Sequence, residues 1–123
     1  MNLKPRSAQS PNTLPEFVIT GNHLKYTAGN ITLDTSKLEV GQEIMQGTAV
    51  HRDTETGLYL LVDGSTPADM EAPVLTVHAV RIEDTTVNEQ TAGLVAGSVW
   101  TEKLTGATDN FKEAVKNRID FDL

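Results

Sequence analysis

After residue 15 the sequence is a succession of short β-branched stretches, each broken within a few residues by glycine, asparagine or proline. A chain punctuated this way cannot build long helices and must pair short strands through turns. The two strongest strand candidates are VLTVHAVRI (74–82) and AGLVAGSVWT (92–101). In the first, Val74, Thr76, His78, Val80 and Ile82 share one face, and Leu75, Val77, Ala79 and Arg81 share the other. Apolar residues on both faces imply that at least one end of the strand is covered on each side. In the second, Ala92, Gly93, Ala96 and Gly97 are small enough for another backbone to come close.

Weaker strand signals lie upstream. EFVIT (16–20) and NITLD (30–34) are short β-branched stretches, and EIMQGTAVHR (43–52) and GLYLLVD (57–63) flank DTETG. There Gly57 supplies the positive φ that closes a hairpin. GSTPADMEAP (64–73) reads as a polar connection longer than a tight turn needs. Helical periodicity is convincing only in TDNFKEAVKNR (108–118), with Thr108 or Asp109 as N-cap and Phe111, Ala114, Val115 and Arg118 on one face. IDFDL then reads as a closing strand. The expectation is a mainly β single domain over 16–123 with one short C-terminal α-helix.

The opening MNLKPRSAQSPNTLP is different in kind. Pro5, Pro11 and Pro15 sit among polar residues, and only Leu3 and Leu14 are large and apolar. Such a stretch cannot offset its own ordering entropy, so residues 1–15 are expected to form an extended, flexible N-terminal arm. The arm carries Lys4 and Arg6 and no acid, whereas the whole chain has a net charge of −7. An acidic body argues against nucleic acid as the main partner. No apolar run suggests a leader peptide or a membrane span.

Catalytic and metal chemistry finds no positive signal. His23, His51 and His78 are scattered without ligand spacing, and there is no cysteine. His78 is expected to face the core of its strand. Carboxylate pairs such as Glu83–Asp84 and Asp53–Glu55 are what an acidic chain holds by chance, and DTETG lacks the pattern of a calcium loop. No nucleophile elbow, phosphate loop or dinucleotide fingerprint occurs, and NIT (30–32) matches a glycosylation sequon within a strand. The expectation is a protein that is not an enzyme and needs no cofactor. Trp100, the single indole, suits core or rim packing first and a subunit interface next.

Order and spacing over residues 38–121 resemble the lambda-type head decoration proteins of tailed bacteriophages. The resemblance rests on Leu38 and Gly41 before a strand, then a hairpin and a polar loop. A Val/Ile-rich strand ending in Glu83, Asp84 and Thr85 comes next, then Leu94, Val95, Gly97 and Val99 in one strand, a small helix, and Ile119 and Phe121. The chain departs from the family pattern at His78 or Ala79, where glycine is common, and at Ala96, where arginine precedes the glycine.

The resemblance implies a compact β-tulip or barrel-like domain and a homotrimer on the outer surface of the virion capsid, assembled in the host cytoplasm. There it would stabilise the expanded head against internal DNA pressure. The implied partner is the major capsid protein, with no nucleic acid and no membrane involved. Residues expected to meet the shell are Leu3, Lys4, Arg6, Leu14 and Phe17, and the expected trimer contact is Trp100. The alternative is a virion fibre or tail adaptor, or a carbohydrate-binding β module using Tyr26, Tyr59 or Trp100.

Overall fold

The structure is a computed structural model and describes residues 15–20 and 23–122. In these residues the short β-branched stretches become β1 (Lys25–Tyr26), β2 (Ile31–Leu33), β3 (Glu43–Ile44), β4 (Ala49–Arg52) and β5 (Tyr59–Leu61). The second half contributes β6 (Glu71–Thr76), β7 (Val80–Arg81), β8 (Glu89–Thr91), β9 (Gly93–Trp100), α1 (Asp109–Val115) and β10 (Ile119–Asp122). The fold is mainly β with one helix, as the sequence predicts.

Eight strands make one curled, half-barrel sheet in the order β1-β9-β6-β4-β5-β2-β8, with β10 lying parallel to β9. β3 and β7 form a separate antiparallel ribbon. β9 is the hub. Its N-terminal end pairs with β1 and β6, and its C-terminal half, Gly97 to Trp100, pairs with β10.

Apolar cover on both faces of the sheet is realised through adjacent residues. Ala49 and Leu75 join a core with Phe17, Leu94, Phe111 and Ile119, while Val50 and Val74 join a second with Leu33, Ile44 and Ile82. Successive side chains on a strand point to opposite faces, so β4 and β6 each feed both cores. Helix α1 closes the first core with Phe111 and Val115, and the Thr108 hydroxyl caps it by accepting from the Phe111 N–H at 3.2 Å.

Three local expectations are corrected. The stretch 74–82 is not one strand: it bends at residues 77–79, and His78 is exposed rather than core-facing. Up to Thr76 the chain serves the main sheet. After the bend, Val80 pairs with Ile44 and Ile82 fills the second core, so burying both groups requires a change of direction. The stretch 43–52 likewise divides at Gly47, whose φ of +81° turns the chain between the ribbon and the sheet. Finally, β9's glycines admit side chains rather than backbone. A Cβ at Gly97 would lie 2.7 Å from Leu24, and one at Gly93 would lie 2.9 Å from Val74.

Candidate partner-binding surface

EFVIT does not form a regular strand, but it adds to the free side of β9. Val18 and Val99 form an antiparallel bridge, the Ile19 N–H donates to the Ser98 carbonyl at 2.9 Å, and the Trp100 N–H donates to the Phe17 carbonyl at 2.7 Å. A further clamp comes from the Glu16 N–H, which donates to Gln46 Oε1 at 3.0 Å. The point where residues 1–14 join the body is therefore fixed by four consecutive residues.

Phe17 is the centre of that fixing. Its side chain has no exposed surface, belongs to the first core and packs against Gly47, where an added Cβ would lie 3.2 Å from the ring. Burying a phenyl ring is worth about 1.5–3 kcal/mol, which makes it the residue that ties the N-terminal segment down. The expectation that Phe17 meets a partner is corrected on that ground. Of the other residues assigned to shell contact, Leu3, Lys4, Arg6 and Leu14 lie outside the described residues.

Trp100 sits differently. Val18 and Val99 point inward, so their neighbours Ile19 and Trp100 turn outward, and both remain more than one-third exposed, at 38 % and 36 %. Ile19 lies opposite Ser98 and Trp100 opposite Phe17, which makes the two side chains diagonal neighbours within reach of each other. Asp120 of β10 is exposed beside them, paired with Ser98. The result is a small apolar face with a carboxylate at one edge. Just below the root, a cavity of about 310 Å³ opens between Glu16, Met45, Gln46, Glu102 and Lys103, with Met45 half exposed.

The residues weighed for other chemistry stay apart. His23, His51 and His78 lie on separate segments, and among the described residues no three His, Asp or Glu side chains converge as a metal site would need. Asp84 and Asp53 are turn residues: Asp84 Oδ1 accepts from the Thr86 N–H at 2.8 Å and its hydroxyl at 2.6 Å, and Asp53 Oδ1 accepts from the Glu55 N–H at 2.9 Å. The three aromatics proposed for sugar binding do not form one platform. Tyr26 pairs opposite Leu94, six residues along β9 from Trp100 or roughly 20 Å, and Tyr59 lies on β5, beyond β6 and β4 in the sheet.

No protein-family model matches this chain, and the search of curated proteins finds no match either.

Proposed function

We propose that this protein is a capsid decoration protein of a tailed phage. In this reading it sits as a homotrimer on the outside of the expanded head, and its N-terminal arm grips major capsid subunits. The observation that carries the reading is the pairing of the arm's root with β9 directly beside the exposed Ile19–Trp100 face. The C-terminal end of β9 thus holds both the fixed root of the N-terminal segment and an apolar patch small enough for a subunit contact.

The physics of the arm supports the same reading. Fourteen extended residues reach about 46–50 Å, enough to cross from one shell subunit to the next. Lys4 and Arg6 would meet shell carboxylates, and Leu3 and Leu14 would fill grooves between subunits. Three arms per trimer raise attachment by roughly 10²–10⁴ over one arm through effective concentration. If only the expanded shell offers the matching edges, binding stabilises that state by mass action.

The test is co-sedimentation with undecorated expanded heads, comparing the full chain with one starting at Glu16. Binding by the full chain alone supports the arm as the grip. Equal binding by both removes the arm from the mechanism, and binding by neither removes the capsid reading altogether.

A further inference from the structure

Asp63 is the one aspartate or asparagine in the chain that glycine follows. Glycine has no Cβ, so nothing shields the Gly64 nitrogen from the carboxyl of the residue before it. Asp34, Asp53 and Asp84 are each followed by threonine, whose branched Cβ crowds the same approach. The structure adds access. Asp63, Gly64 and Ser65 are all exposed, and a Cβ built on Gly64 would meet no atom within 4 Å.

Against this access stands a dense turn. Asp63 Oδ1 accepts from the Ser65 N–H at 2.9 Å, the Ser65 hydroxyl at 2.7 Å and the Thr66 hydroxyl at 3.1 Å. The Asp63 N–H donates back to Thr66 Oγ1 at 3.0 Å, and the Thr66 N–H donates to the Asp63 carbonyl at 3.1 Å. Thr66 is itself buried, and its carbonyl accepts from Asn110 Nδ2 at 2.9 Å, which ties the turn to helix α1.

We infer that the Asp63–Gly64 bond is the chain's site of spontaneous isomerisation to isoaspartate, and that the turn around Asp63 is the gate that restrains it. In the reaction the Gly64 nitrogen attacks Asp63 Cγ, a C–N bond forms, and the C–OH bond of the neutral carboxyl breaks. The hydroxyl leaves as water with the nitrogen's proton, closing a five-membered succinimide. Water then opens either carbonyl of the ring. One opening restores aspartate, and the other leaves the main chain running through Cγ. Water taken up equals water released, and no oxidant or reductant takes part.

Each contact of the turn opposes the first step. The carboxyl must be neutral and must present its face to the Gly64 nitrogen, which means releasing three donors. Hydrogen bonding, from the Ser65 side chain first, holds the Asp63 carboxyl below its ordinary value and so favours the ionised form, which resists attack. Reaction therefore waits for local opening of residues 63–66. Once it has occurred the turn cannot close as before, because the carboxylate and carbonyl that made its bonds have exchanged places in the chain. The product is loosened between β5 and β6, whatever the shell contact proves to be.

The test ages the full chain at neutral pH, folded in buffer and unfolded in guanidinium chloride. Isoaspartate is quantified by enzymatic methylation and located by electron-transfer mass spectrometry. In denaturant it should appear first at Asp63, and the folded chain should form it about tenfold more slowly or less. Ser65→Ala, at an exposed position, and Thr66→Val, which keeps the shape of the buried side chain, should each speed the folded reaction about threefold or more, with the circular dichroism spectrum unchanged. Isoaspartate at Asp53 or Asp69 ahead of Asp63 overturns the site. Equal rates in the folded and unfolded chain, or folded rates in both variants equal to the natural one, overturn the gate.

Discussion

At the scale of single residues, the chain repeats one device. Asp34, Asp63 and Asp84 each accept through Oδ1 from the N–H and the hydroxyl of a Ser or Thr two positions on, with hydroxyl contacts of 2.6, 2.7 and 2.6 Å. This is the side-chain turn in which an aspartate closes a loop with its own carboxylate. Hydrogen bonds to the ionised form hold the Asp63 and Asp84 carboxyls below the ordinary value of 3.8, with the Ser65 and Thr86 side chains the largest causes. Because the folded values are depressed, the stability these groups contribute is present above their unfolded midpoint. It is lost as pH falls through that midpoint toward the folded one. The variant D63N/D84N should therefore lose less stability on acidification than the natural sequence, measured as the change in urea midpoint from neutral to acid pH. An identical acid slope in both proteins would show that the two turns carry no such linkage.

At the scale of elements, the join between β6, β9 and β10 depends on Arg118. Its guanidinium donates to the Val95 carbonyl at 2.6 Å and to the Pro73 carbonyl at 3.1 Å, while the Gly97 N–H donates to its own carbonyl at 3.1 Å. β9 bulges at this place, where two successive residues of β1 pair with Ala96 and Leu94, and a bulge leaves a carbonyl without a ladder partner. Partial burial lowers the Arg118 pKa, yet the group stays charged at neutral pH because arginine begins so high. Arg118→Ala is expected to cost about 1–3 kcal/mol in urea unfolding, since two half-buried acceptors lose their donor. Arg118→Lys should restore only part, because one ammonium cannot span both carbonyls as a planar fork does. Full restoration by lysine would show that charge alone suffices.

At the scale of the whole molecule, the proposed trimer makes a direct demand on the face beside the arm's root. A carboxylate at the centre of a subunit contact must be desolvated next to Asp120, so Trp100→Glu should shift sedimentation-equilibrium mass from trimer to monomer. The circular dichroism spectrum should stay unchanged, because an exposed side chain contributes little to the core. A trimer that survives the substitution would move the interface elsewhere, and a natural chain that is monomeric at every concentration would withdraw Trp100 from that role in the free protein.

By itself the sequence determined what is local. The mainly β character, the turn at Gly57 with its φ of +77°, the Thr108 cap and the closing strand all follow from residue types acting on their neighbours. Only the tertiary structure decided which partner each segment met. The bend that exposes His78 depends on Val80 finding Ile44, thirty-six residues upstream, a pairing no periodicity within 74–82 encodes. Phe17 and Trp100 show the same limit at the candidate surface. Both are aromatic and occur in apolar stretches, yet Phe17, in the turn that the Val18 N–H closes on the Pro15 carbonyl, fills the core beside Gly47, whereas Trp100 follows strand alternation at the end of β9 and turns outward. Propensity and turn chemistry act within a few residues, whereas burial is settled by contacts between segments far apart in the chain.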